Sequence, residues 1–359
     1  MKVIVSAGGT GGHIYPALAI IDILKKYDKN LDVLYIGTHN RMEKDIVPQK
    51  GIKFESLEIY GFNKKKVLTN FKNLYLICKA YKKSKKIIKE FNPDLVVGAG
   101  GYVTFPVLKA AQKLGIKTLL HEQNSFPGKT NVALSKKADL IGVSFEKSME
   151  KFKGTKGKVF LMGNPCATSA LAAEKVTKKE LGLDPKLPLV TVVCGSLGSR
   201  TVNEAFKEVL RGVDKKSYQV IYITGKAFYD TFIQDKYPDN VHVKPYLDNL
   251  RSVLKITDVL VSRAGATTMS EVMALKVPTI FIPSPYVANN HQYYNALDLV
   301  NKKAALMIEE KDFSAKALFE SIDELIKNND AVKKNLNSIK SVDTEKVLLD
   351  EVRKLLNDW

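Results

Sequence analysis

The stretch 258–296 reads DVLVSRAGATTMSEVMALKVPTIFIPSPYVANNHQYYNA. It opens on a short apolar run, 258–262, of the kind that forms a strand buried in a parallel sheet. Arg263, Ala264 and Gly265 then make a tight turn. A helix is predicted from Thr267 or Thr268, with Met269, Val272, Met273 and Leu275 on one face. Pro278 stops that helix, and 279–282 is a second apolar strand. The turn aims free N–H groups and the positive end of a helix dipole at an anion. Glu271 lies one turn in, where a carboxylate can accept two hydrogen bonds from a vicinal diol such as a ribose. Thr268 and Glu271 also have the spacing of a capping box, which needs no ligand. The polar group that follows favours a ligand: Asn289, Asn290, His291, Gln292 and Asn295 offer donors and acceptors together, as sugar hydroxyls require.

Working outward, the same unit recurs. Residues 2–6 form an apolar strand that runs into AGGTGGH, 7–13, and a helix is predicted over 16–24 with Pro16 in its first turn. This is neither the dinucleotide fingerprint nor a P-loop, since Ile14 stands in place of the third glycine and no lysine follows. Four glycines still let the backbone approach a phosphate closely. His13 sits at the carboxyl end of the first strand, where open α/β sheets bind ligands, and is placed to take a proton from an attacking hydroxyl. A second glycine turn, Gly98 to Tyr102, follows the strand 93–98, and the strand 116–120 ends in His121, Glu122, Gln123 and Asn124. Gly128-Lys129-Thr130 imitates the end of a P-loop, but Gln123 stands where its first glycine belongs. A third turn, Gly195 to Ser199, follows the strand 189–194 and offers N–H groups and the Ser196 hydroxyl to a phosphate. Pro245 to Asp248 follows the strand 241–244 and offers backbone groups to the edge of a base. Strands alternate with helices throughout, which predicts an α/β protein of two doubly wound halves with a cleft between them.

Length agrees, since 359 residues exceed a single core. Gly163-Asn164-Pro165 is the predicted linker. The net charge of +18 is uneven: residues 1–160 hold 29 Lys/Arg against 13 Asp/Glu, and 161–359 hold 27 against 25. The first half is therefore expected to meet something anionic and extended. A basic nucleic-acid-binding protein would spread its charge over both halves and need no glycine turns. Residues 64–89 hold ten lysines and no acid, interleaved with Leu68, Phe71, Leu74, Tyr75, Ile77, Tyr81, Ile87 and Ile88. One or two basic amphipathic helices are predicted over 64–91. A solvated face, a nucleic-acid surface and a membrane patch compete there, and apolar groups among lysines favour anionic lipid. Cys78, Cys166 and Cys194 lack metal or redox spacing and suit reduced cytoplasmic thiols. The start reads as a strand rather than a signal peptide, and no run of about eighteen apolar residues spans a membrane.

Seven motifs in this order, GGTGGHIYPALAI, GAGGYVTFP, HEQN, GNP, GSLGS, SRAGATTMSEVMA and NHQYYNA, resemble those of the MurG family of bacterial UDP-N-acetylglucosamine transferases, over almost the whole chain. The resemblance implies a GT-B fold, two Rossmann-like domains facing each other across a deep cleft. The domains would be an acceptor and membrane-facing domain over 1–163, joined by a C-terminal helix, 341–359, and a UDP-GlcNAc-binding domain over 164–340. It implies inverting transfer of GlcNAc from UDP-GlcNAc to the MurNAc C4 hydroxyl of lipid I, an undecaprenyl-pyrophosphoryl-MurNAc-pentapeptide. The product would be lipid II, for peptidoglycan synthesis. By the same resemblance Glu271 holds the ribose, and Ala266, Thr267, Thr268 and Ser196 contact the diphosphate. Leu247 meets uracil through its backbone, and Asn124, His291 and Gln292 lie by the donor, with Thr10, Gly11 and Gly12. Gly12, His13, Gly100, Gly101, Tyr102 and Glu122 receive the acceptor, with His13 as catalytic base. The family's GNP turn usually continues Val-Arg, and that arginine faces the donor phosphates. Here Cys166 and Ala167 follow, so either one charge is lost or Arg200 or Lys226 replaces it. No Asp-x-Asp metal motif occurs, so no metal and no cofactor is expected. The implied partners are UDP-GlcNAc, lipid I and the anionic inner leaflet through 64–91, with no nucleic acid, at the cytoplasmic face of the cell membrane. The alternative is a GT-B UDP-sugar transferase acting on another lipid. A sugar-nucleotide epimerase of the same fold would not need the basic apolar patch.

Overall fold

The structure is a computed structural model that describes residues 1–61, 67–195, 200–287 and 290–357; for 67–71, 200 and 201 it describes the backbone only. The chain divides into two compact units, Met1–Thr168 with Val342–Trp359, and Ser169–Ser341.

The first unit holds β1 (Lys2–Ser6), β2 (Asp32–Thr38), β3 (Lys53–Leu57), β4 (Leu95–Gly98), β5 (Lys117–Glu122), β6 (Leu140–Val143) and β7 (Lys158–Leu161). They form one parallel sheet in the order β3-β2-β1-β4-β5-β6-β7. Successive side chains of β1 enter opposite cores. Val3 and Val5 join one cluster with the helix Gly11–Tyr27 and with Leu348, Leu349 and Val352 of the helix Thr344–Leu355. Ile4 joins the other, with Leu108 and Ala111 of the helix Thr104–Leu114 and with Ile87 and Ile88 of the helix Val67–Phe91. Burial on both faces is why β1 is a continuous apolar run.

The second unit holds β8 (Leu189–Val193), β9 (Gln219–Ile223), β10 (Val241–Lys244), β11 (Val259–Ser262), β12 (Thr279–Phe281) and β13 (Leu306–Met307). Its parallel sheet runs β10-β9-β8-β11-β12-β13. In each sheet the winding reverses once, between β1 and β4 and between β8 and β11. Such a switch point opens a crevice at the carboxyl ends of the two diverging strands. The four glycine-bearing turns of the sequence follow those four strands.

Two expectations are corrected, and the predicted basic helix is resolved into two faces. The first helix starts at Gly11, not Pro16. Thr10 is extended (φ −141°, ψ 159°), and its carbonyl accepts from the N–H groups of His13 and Ile14. Pro16 is thus the sixth helical residue. The helix Ala266–Leu275 is capped by Gly265, and Met269 N–H donates to the Gly265 carbonyl at 2.9 Å. Thr268 is therefore its third residue, and Thr268 with Glu271 forms no capping box. Residues Val67–Phe91 form one helix of 25 residues, and most of its apolar side chains among the described residues are buried or packed on the core. Leu76, Ala80, Ile87 and Ile88 are buried and Ile77 and Tyr81 pack on the core, while Leu74 (56%) and Tyr75 (68%) stay exposed. Lys72, Lys79, Lys82, Lys83, Lys86 and Lys89 are exposed beside them. The side chains of Leu68 and Phe71 lie outside the described residues. Among the described residues no helix is long and apolar enough to cross a membrane.

Candidate functional site

In the first unit the predicted residues gather at the switch point between β1 and β4 and on the neighbouring end of β5. The two glycine turns there are laced together. Gly8 N–H donates to the Gly100 carbonyl at 3.3 Å, and the Thr104 hydroxyl donates to the same carbonyl at 2.7 Å. Gly100 (φ 99°) and Gly101 (φ 85°) have left-handed backbones. A Cβ on Gly101 would run into the Gly8 carbonyl, and one on Gly100 would lie 2.5 Å from His13 Nδ1. Glycine is required at both by close approach as well as by φ.

The phosphate-facing donors are fewer than four glycines suggest. Gly9 N–H donates to Glu43 Oε2 at 3.2 Å. Glu43 is fully buried, and its other oxygen accepts from Thr38 N–H (2.9 Å) and the Thr38 hydroxyl (2.6 Å). Glu43 therefore holds the first turn in shape and takes one of its N–H groups. Gly11 and Gly12 open a helix of 17 residues, so their N–H groups have no carbonyl within it. The hydroxyl of Tyr102 is buried and has no partner among the described residues. An orphaned hydroxyl at a switch point is suited to a polar ligand.

Behind these turns lies a chain of polar contacts. His13 Nδ1 is 3.1 Å from Gln123 Oε1. Gln123 Nε2 reaches the Ala99 carbonyl (2.9 Å) and His121 Nδ1 (3.0 Å), and His121 Nε2 reaches the Gly163 carbonyl (3.1 Å). Burial pulls the His121 imidazole down to about 4; the bond to Gly163 opposes the shift only partly. Glu122 is buried, and its own loop engages both oxygens. Oε1 accepts from Asn124 N–H (2.9 Å) and Nδ2 (3.2 Å), and Oε2 from Gly128 N–H (3.0 Å) and Asn131 Nδ2 (2.9 Å). These four bonds suit Glu122 to ordering the loop 124–131 and fixing Asn124, rather than to touching an acceptor.

In the second unit Leu247 follows β10, Ala266, Thr267, Thr268 and Glu271 follow β11, and His291 and Gln292 follow β12. Ser196 lies outside the described residues, as does Asn289. The turn after β11 is held from below. Arg263 points inward, with Nη1 donating to the Ile282 carbonyl (3.0 Å) and Nη2 paired with Glu310 at 2.7 Å. Asn295 Nδ2 donates to the Ala264 carbonyl at 3.1 Å, so this member of the polar group is structural. The turn's free donors, the N–H groups of Ala266, Thr267 and Thr268, open the helix Ala266–Leu275. Thr267 Oγ1 is buried there without a partner among the described residues. Glu271, one turn further, accepts from Arg251 Nε at 2.7 Å. Burial raises its carboxyl from the usual range, and the charge and hydrogen bond of Arg251 oppose that. Gln292 Oε1 accepts from Ser284 N–H at 2.9 Å. His291 opens the helix His291–Asn301, and Leu247, in the loop after β10, is partly buried against a core cluster with Leu189, Ile221 and Val253.

Sequence reasoning missed Glu43, Gln123, Arg251 and Glu310. Gln123 stood in a quoted motif beside its partner His121, yet nothing local marks its other partners, which lie 110 and 24 residues away. Of the two substitutes for the missing arginine, the Lys226 ammonium lies 5.5 Å over the Tyr246 ring, and the side chain of Arg200 is outside the described residues.

Comparison with known proteins agrees with this geometry. The glycosyltransferase family 28 N-terminal domain matches residues 3–143, and the family's C-terminal domain matches 189–350. A UDP-N-acetylglucosamine–N-acetylmuramyl-(pentapeptide) pyrophosphoryl-undecaprenol N-acetylglucosamine transferase of Bacillus cytotoxicus is 46% identical over 333 residues, 91% of each chain. The enzyme of the same name from Halalkalibacterium halodurans is 44% identical over 332 residues, again 91% of each. The crystal structure of Acinetobacter baumannii MurG shares the fold, with a TM-score of 0.74 at 24% identity over 98% of this chain and 99% of that one. With paired Rossmann-like units, a glycine turn at each switch strand and relatives matched at nearly full length, this chain belongs to glycosyltransferase family 28 and, within it, to the MurG transferases.

Proposed function

We propose that the chain transfers GlcNAc from UDP-GlcNAc to the MurNAc C4 hydroxyl of lipid I, giving lipid II with inversion at the anomeric carbon. The observation that carries this reading is the 46% identity, over 91% of both chains, with a relative named for that donor and acceptor. The residues supply the chemistry. An inverting transfer needs a base for the attacking hydroxyl and stabilisation of the departing diphosphate. His13 is the base. The acceptor diphosphate is received by the N–H group of Gly12 and by the turn Gly100, Gly101 and Tyr102. Glu122 positions Asn124 beside the donor. In the second unit the N–H groups of Ala266, Thr267 and Thr268, with the Ser196 hydroxyl, take the charge that develops on the leaving UDP. Glu271 accepts from the ribose diol, the Leu247 backbone meets uracil, and His291 and Gln292 line the donor sugar. Thr10, Gly11 and Gly12 complete the donor side.

The protein acts as a peripheral enzyme on the cytoplasmic face of the cell membrane, in peptidoglycan synthesis and hence in cell-wall growth, shape and division. The helix Val67–Phe91, with lysines around Leu74 and Tyr75, docks on the anionic leaflet that holds lipid I. Supplying purified protein with labelled UDP-GlcNAc and either a short-chain lipid I analogue or diacylglycerol tests the acceptor. Label enters only the lipid I analogue on this reading; label in diacylglycerol alone would replace the acceptor.

A further inference from the structure

Gln123 is 1% exposed, and its amide can face only one way. Nε2 lies 2.9 Å from the Ala99 carbonyl and 3.2 Å from the His121 carbonyl, and both of those oxygens only accept. The nitrogen must therefore be on that side, and Oε1 on the side of His13 Nδ1, 3.1 Å away. An amide oxygen only accepts, so His13 Nδ1 carries the hydrogen. A neutral imidazole then has its lone pair on Nε2. The other end of the chain agrees. One Gln123 N–H goes to Ala99 and the other is shared between the His121 carbonyl and His121 Nδ1, which therefore accepts, and this puts the His121 hydrogen on Nε2, facing the Gly163 carbonyl at 3.1 Å and Ser144 Oγ at 3.2 Å. His121 is fully buried, and its lowered basicity keeps that acceptor free at neutral pH. Gly100 packs against the Nδ1 edge of the His13 ring, where even a methyl group would collide.

We propose that Gln123 is a positioning residue for the transfer: it fixes His13 as the Nδ1–H tautomer and so turns the Nε2 lone pair to the acceptor hydroxyl. The inference rests on the reading of His13 as base. In the step, the acceptor O–H bond breaks as its proton passes to His13 Nε2. The acceptor oxygen bonds to the anomeric carbon, and the bond from that carbon to UDP breaks with its electron pair on the diphosphate. His13 becomes a cation with Nδ1–H still held by a neutral amide oxygen. A carboxylate at that place would favour the charged ring beforehand and remove the base.

The test is a two-bond ¹⁵N–¹H correlation spectrum of histidine-labelled protein at neutral pH, with His13 assigned from the His13→Ala spectrum. The inference expects the Nδ1–H pattern for His13. Gln123→Leu should lose that pattern and lower kcat tenfold or more, within the ~10²–10⁴ that a general base supplies, while the KM for UDP-GlcNAc stays within about twofold. Gln123→Glu, nearly isosteric, guards against a folding failure; its His13 should show both nitrogens protonated, with kcat lowered and UDP-GlcNAc still bound. An Nε2–H pattern in the wild type, or Gln123→Leu with an unchanged pattern and kcat, would overturn the inference about Gln123. A wild-type Nδ1–H pattern beside a fully active His13→Ala enzyme would instead overturn the base reading.

Discussion

Glu271 reaches its helix already paired. Arg251 Nε lies 2.7 Å away on a different helix, Leu250–Leu254, and burial alone would drive the carboxyl toward its neutral form. The charge and hydrogen bond of Arg251 oppose that shift and favour the charged form, which is the form that accepts from the diol in the proposed function. Removing the arginine leaves a buried carboxylate without its charged donor, worth about 1.5–3 kcal/mol. Arg251→Ala should raise the KM for UDP-GlcNAc roughly tenfold or more with kcat little changed. An unchanged KM would show that Glu271 needs no partner. His121 gives a second prediction. Its folded value of about 4 lies below the usual 6.5. Between those values the unfolded chain binds a proton that the folded chain does not. Stability is therefore full above about pH 6.5 and falls as pH drops toward about 4, by on the order of 3 kcal/mol. Urea midpoints measured at about pH 7 and about pH 4.5 should converge in His121→Gln relative to wild type; an equal acid loss in both would assign it elsewhere. At this scale the sequence was legible wherever a residue's role is set by its own strand end. His13 and Thr267 could be found that way. The contacts Arg251–Glu271, Glu43–Gly9 and Gln123–His13 could not, because they span 20 to 110 residues and only the fold makes them.

At the scale of elements, each glycine turn was located by the strand before it, and the two helix starts predicted after β1 and β11 were misjudged by one to five residues. The reason is physical. Gly11 and Gly12 are poor helix formers, yet they belong to the helix because Thr10 and the packing of Ile14, Ala17 and Leu18 set its beginning. The basic helix formed as predicted, but with two faces. Its period of apolar residues serves two partners: Leu76, Ala80, Ile87 and Ile88 face the protein core, while Leu74 and Tyr75 face outward among lysines. Charge counting alone cannot separate those faces. If the outward face docks on lipid, Leu74→Ser with Tyr75→Ser should weaken binding to anionic vesicles several-fold. Each exposed lysine exchanged for glutamate should cost about 1 kcal/mol more, and the whole effect should shrink in salt. Transfer to a water-soluble acceptor should be unchanged. Vesicle binding unaffected by all these changes would remove this helix from the membrane reading.

For the whole molecule, the alternation of strands and helices already specified two parallel sheets, but not their strand order. Periodicity marks a strand without naming its neighbour. The order matters because it makes β1–β4 and β8–β11 the switch points, and so turns a scatter of glycines into two sites. The charge follows the same division: the surplus lies within residues 1–160, in the part with the basic helix, and the remainder is near balance. The division of labour expected from this is a donor held by the second unit and an acceptor activated by the first. The most direct test is single-turnover transfer of labelled GlcNAc to a short-chain lipid I analogue, with UDP-GlcNAc affinity measured alongside, for wild type and His13→Ala. The account predicts transfer by the wild type, a loss of about 10²–10⁴ in rate for the variant, and equal donor affinity in both. Tight UDP-GlcNAc binding with no label in the lipid would contradict it.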